Sequence, residues 1–146
     1  MDSFGGAEAR RHAMSTDGWI GQDWLANYSI SHTVPLLPPG QIPAWMASAY
    51  DVPHANFVHG GLHPRWAKRG LDAMNHVGRS LLYKALQNER PQGWLPPTAT
   101  EEEADLYGER GPLWYRGYAL EDEQRVCQEA DAVGAHLSAR HLVMGQ

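Results

Sequence analysis

Steps of three and four between apolar residues dominate the chain and are broken by short extended runs, an alternation that predicts an α/β fold. Residues 1–14 are small, charged and polar, and predict a peripheral opening with a weak helical tendency. After the Asp17-Gly18 turn, Trp19, Ile20, Trp24, Leu25 and Tyr28 recur at helical spacing. They predict a short amphipathic helix over 21–29 whose aromatic rings pack in the core. A brief extended piece at 34–37 closes in Pro38-Pro39-Gly40, which cannot continue a ladder. Residues 42–50, with Trp45 and Met46, read either as a short helix or as an irregular loop, and a strand at 55–58 follows.

The longest periodic segment is 64–86, where Ala67, Leu71, Met74, Gly78, Leu81 and Ala85 share one face and Lys68, Asp72, Asn75 and Arg79 the opposite, solvated one. Gly70 and Gly78 each cost such a helix about 1 kcal/mol relative to alanine, so both predict close packing against a neighbour. The proline-rich stretch 88–100 is a connector or a lid. Glu101-Glu102-Glu103 suits the first turn of a short helix with a solvated acidic face. Val126, Ala130, Val133 and Leu137 point inward from a helix over 121–137, and a last strand, His141–Met144, is expected beside the 55–58 strand.

Two stretches carry candidate chemistry. In Asn56-Phe57-Val58-His59-Gly60-Gly61-Leu62-His63-Pro64-Arg65-Trp66 a short strand empties into a histidine and two glycines. Glycine lets the backbone pass close to an ion or anion, and Pro64 suits the first turn of a helix. His59 reads there as a metal ligand or as a turn residue. Its spacing to His63 imitates a helical zinc pair, but Gly60-Gly61 between them disfavours one continuous helical face. In Gly111-Pro112-Leu113-Trp114-Tyr115-Arg116-Gly117-Tyr118 three aromatics and two glycines enclose one arginine. Arg116 can clasp two phosphate oxygens with its planar guanidinium, or stack on Trp114 or Tyr115.

Composition narrows the classes. With 146 residues, 42% of them hydrophobic, one ordinary domain or part of one is expected. A formal net charge of -5 with no lysine and arginine stripe argues against nucleic acid as the main partner, and nothing suggests a membrane-surface binder or a spanning helix. The single cysteine, Cys127, excludes an internal disulfide and fits a reducing, intracellular compartment. No P-loop, Gly-x-Ser-x-Gly or Cys-x-x-Cys occurs.

Three stretches, Phe57-Val58-His59-Gly60-Gly61-Leu62-His63-Pro64, Gly111 through Tyr118, and Leu142-Val143-Met144-Gly145, together resemble the calcineurin-like metallophosphoesterase superfamily, in its Shewanella-like protein phosphatase branch. Trp19-Ile20-Gly21, Tyr28 and Val34-Pro35-Leu36 resemble that branch's segment before His-Gly-Gly. The resemblance implies part of a two-sheet sandwich with flanking helices, incomplete at its N-terminal half. It implies two divalent metal ions (manganese, iron or zinc) in the intact domain, His59 as a metal ligand, Arg116 as the residue that holds phosphate oxygens, and a phosphorylated protein or small molecule as substrate. The superfamily's Gly-Asp-x-His-Gly, Gly-Asp-x-x-Asp-Arg-Gly and Gly-Asn-His-Glu motifs do not occur, and Gln146 stands where a last histidine ligand is expected. Residues 1–146 are therefore expected to be a C-terminal portion of such a domain, inactive alone, with no catalytic residue assigned. A noncatalytic remnant or interaction module is the alternative. A third reading pairs His59 with His54 or His63 around one metal, with Asp51 a further candidate.

Overall fold

The computed structural model describes residues 5–37, 39–41, 53–87 and 95–145. The readings at 42–50, at Asp51 and at Gln146 lie outside the described residues, as do 88–94 of the proline-rich stretch.

The chain is mixed α/β. Helices α1 (Gly6–Met14) and α2 (Trp19–Asn27) precede strand β1 (Ser31–Pro35), and β2 (His54–Val58) follows a single 3-10 turn, Pro39–Gln41. Between β2 and β3 (His141–Met144) run α3 (Pro64–Ala67), α4 (Leu71–Gln87), α5 (Glu101–Tyr107), α6 (Gly117–Leu120) and α7 (Glu123–Leu137). The described strands form one sheet in the order β1-β2-β3. β1 is antiparallel to β2, with Ser31 opposite Val58 and Pro35 opposite His54. β3 is parallel to β2, with Ala55 opposite His141 and Val58 opposite Met144. The two predicted strands are thus neighbours, and His59 follows the central one.

Side-chain alternation splits the sheet into two unlike faces. Val58, Leu142 and Met144 join the core with Leu62, Trp66, Met74, Leu106 and Val133. On the other face Phe57 and its β3 partner Val143 are 45% and 42% exposed, so no described layer covers them. The large core side chains Trp66, Leu62, Met74, Leu106 and Val133 are fully buried. Each contributes about 1.5–3 kcal/mol by leaving water.

Polar side chains fix the strands to the helices. Asn56, fully buried in β2, donates from Nδ2 to Ser31 Oγ at 2.7 Å and to Thr33 Oγ1 at 3.0 Å. Asn75 on α4 accepts from the backbone N–H groups of Ile30 (2.8 Å) and Ser31 (3.1 Å) and donates to Ser31 O at 2.9 Å. Its expected place on the solvated face is therefore corrected: its amide satisfies backbone groups at the start of β1.

The 64–86 helix is two helices. Gly70 has φ +85°, and a Cβ there would meet nothing within 4 Å, so it serves the left-handed break between α3 and α4 and not packing. Gly78 does pack: a Cβ would lie 2.3 Å from Ile30 Cγ1. Trp19 and Trp24 are 75% and 40% exposed, so the core expected of α2 holds for Tyr28, which packs on the buried cluster, and not for these rings. The acidic start of α5 is also more than a solvated face. Thr100 and Glu103 close a capping box, and the buried Glu103 carboxylate accepts from Lys84 Nζ at 2.7 Å and Ser80 Oγ at 2.6 Å. None of the described helices is long and apolar enough to cross a membrane.

Candidate functional site

The His-Gly-Gly loop sits where β2 ends, and the fold brings the two unusual stretches against each other there. Gly60 N donates to Pro112 O at 3.0 Å. A Cβ on Gly60 would lie 2.9 Å from the Leu113 carbonyl, and one on Gly61 2.8 Å from Tyr115 O. No larger residue lets these two backbones approach so closely. Tyr118 Oη adds a bond of 2.8 Å to Leu62 O. The third stretch joins from β3, with Gly145 N donating to Val58 O at 3.3 Å.

Tyrosines hold the junction. The Tyr115 ring packs edge-on against His63 and against Tyr118, with centroids 5.2 Å and 5.7 Å away. Tyr115 Oη donates to Glu129 Oε2 of α7, and Arg125 in turn pairs with Glu129 and Glu121. Burial, followed by the Glu129 charge, pushes the Tyr118 hydroxyl up to about 12, and burial with the Glu129 hydrogen bond pushes Tyr115 above the ordinary phenol range. Both therefore stay neutral donors at physiological pH. Burial also lowers His63, with Arg65, Arg110 and Arg125 adding to the effect against Glu129. A neutral His63 suits its local task, since its Nδ1 accepts from Arg65 N at 3.2 Å and caps α3.

His59 and Arg116 are both exposed, but they open onto different spaces. His59 lines a cavity of ≈ 470 Å³ with Tyr28, His32, Phe57, Leu113 and Val143. Arg116 caps α6 and lines an open cleft of ≈ 900 Å³ with Arg110, Trp114, Tyr115, Leu120 and Glu121. Leu113 walls the first and Trp114 the second. Among the described residues the guanidinium over a ring is that of Arg69, 4.6 Å from the Trp66 centroid, and not Arg116 over Trp114 or Tyr115.

The pairing of His59 with His54 or His63 does not form. His54 and His59 stand at opposite ends of β2, roughly 16 Å apart along an extended strand. His63 is turned into its cap and against Tyr115. Sequence reasoning missed His32, because only the β1–β2 register carries it to the cavity of His59. Among the described residues no three His, Cys, Asp or Glu side chains gather into a metal-binding group. His32 and His59 are the two histidines that line this cavity.

No family model matches the chain, and no solved structure matches it. An uncharacterized protein of Schizosaccharomyces pombe is 32% identical over 112 residues, covering 73% of this chain and 31% of that protein. The chain spans just under a third of the length of this curated relative.

Proposed function

We propose that the chain is the C-terminal portion of a calcineurin-like metallophosphoesterase domain of the Shewanella-like phosphatase branch, contributing one metal ligand, His59, and one phosphate-binding residue, Arg116, to the hydrolysis of a phosphomonoester on a protein or small molecule. The observation that carries this reading is convergence. The three stretches behind the resemblance, far apart in sequence, meet through the Gly60–Pro112 and Val58–Gly145 backbone bonds. The uncovered sheet face with Phe57 and Val143 supports it too, since a two-sheet sandwich needs an apolar face for its second sheet.

In the intact domain, two bound divalent ions would supply an activated water and charge stabilisation for in-line displacement at phosphorus. This chain's own share is narrower. His59 offers an imidazole at a strand end, and Arg116 a fork of donors for phosphate oxygens. The described residues do not bring together the donors two ions need, so no reaction step is assigned to the chain alone.

Sequencing outward from the coding region provides the first test. The three missing motifs are expected upstream in frame; an upstream in-frame stop codon would overturn the reading. In the longer product His59→Ala should lower bound metal and aryl phosphate turnover together, at least tenfold. Arg116→Ala should raise KM for the phosphoester with metal content unchanged. The second reading, a noncatalytic interaction module, draws on the separate cavities of His59 and Arg116. It predicts a longer product that binds no stoichiometric metal.

A further inference from the structure

We propose that His32 and His59 form a two-imidazole site for a single borderline transition-metal ion, such as zinc, cobalt or nickel, on the uncovered face of the sheet. The inference rests on the ligand role proposed for His59 and adds a partner that no motif supplied. In the antiparallel β1–β2 pair, Ser31 stands opposite Val58 and His32 opposite Phe57. His59 follows Val58 by one residue, at the bend where β2 ends, and it shares with His32 and Phe57 the lining of one cavity. Were the alternation of β2 continued by one residue, the two histidines would be diagonal neighbours, about 7 Å apart. Two imidazoles can close that gap on one ion, with metal–nitrogen bonds of about 2 Å.

The surroundings define which ion. Both rings are exposed and line the same cavity of ≈ 470 Å³, whose other walls include Phe57, Leu113 and Val143. Among the described residues no carboxylate and no lysine or arginine lines it. Two neutral nitrogen donors without oxygen anions suit zinc, cobalt and nickel, whereas magnesium, calcium and manganese favour carboxylate and carbonyl oxygen. With two protein ligands, the ion keeps coordination positions open to water or to an anionic oxygen such as that of a phosphate ester.

The test is calorimetric titration of the 146-residue chain with zinc, cobalt, nickel and manganese chlorides, run beside His32→Ala, His59→Ala and His63→Ala. Zinc, cobalt and nickel should bind at one ion per chain, and manganese at least tenfold more weakly. His32→Ala and His59→Ala should each weaken zinc at least tenfold, and His63→Ala, which removes a helix cap and the edge contact with Tyr115, by less than twofold. In the unsubstituted protein, substoichiometric cobalt should perturb the His32 and His59 imidazole proton signals before those of the other histidines, a readout independent of how the variants fold. Weakening by His59→Ala alone would overturn the pairing and leave the proposed role of His59 standing. Unchanged binding in both variants would remove both, and manganese binding as tightly as zinc would overturn the neutral-donor site.

Discussion

Glu103 shows how far a single residue departs from its local pattern. Burial alone would raise its carboxyl, but hydrogen bonds from Lys84, Ser80 and the Thr100 backbone overcome that and hold it at about 2, against an ordinary 4.5. A carboxyl held low in the folded state stabilises the fold above its unfolded value, and that stabilisation disappears as pH falls through the window from about 4.5 to 2. At neutral pH it amounts to about 3 kcal/mol. Glu103→Gln should therefore lower the urea midpoint at pH 7, and its deficit relative to the unsubstituted protein should shrink steadily below pH 4.5. Parallel curves for the two proteins down to pH 2 would show that other carboxylates carry the acid limb. The Thr100-x-x-Glu103 spacing is legible as a cap, but burial is not, because Ser80 and Lys84 arrive from another helix.

At the scale of elements, two glycines with the same sequence signature do unlike work. Gly70 adopts φ +85° in open space, whereas Gly78 admits Ile30 against the helix backbone. Gly70→Ala should cost about 1–2 kcal/mol through left-handed strain, and Gly70→Asn less. Gly78→Ala should cost about 1–3 kcal/mol through overpacking, despite the gain in helix propensity. A double-mutant cycle with Ile30→Ala separates them: strong coupling is expected at Gly78 and none at Gly70. Coupling at both would mean that Gly70 is a packing glycine after all. Periodicity locates the 64–86 segment but cannot see this break, since the apolar steps continue across it.

At the scale of the whole molecule, the sheet is covered on one side only among the described residues. Helices cover the face of Val58, Leu142 and Met144, while Phe57 and Val143 remain exposed and β1 and β3 are the outer strands of those described. An uncovered apolar face and free strand edges favour self-association. The isolated chain should accordingly show concentration-dependent association in sedimentation, reduced by Phe57→Lys, which places a charge on that face without touching the core. A monodisperse monomer at high concentration, unchanged by the substitution, would show that the face needs no cover.

The sequence by itself determined what repeats locally: the helical steps of α4 and α7, the strand His141–Met144, the proline start of α3, and the His-Gly-Gly loop at the end of β2. These follow from side-chain period and backbone permissiveness, which neighbouring residues already contain. Only the tertiary structure decided that the loop lies under Pro112 and Leu113, that His59 and Arg116 face separate cavities, and that His32 joins His59. Each depends on pairing between segments distant along the chain, and a strand shifted by one residue would carry His32 to the opposite face. Register is fixed by what the whole fold buries, here by Asn56 and Ser31 bonding across the β1–β2 pair, and no stretch of sequence contains that information alone.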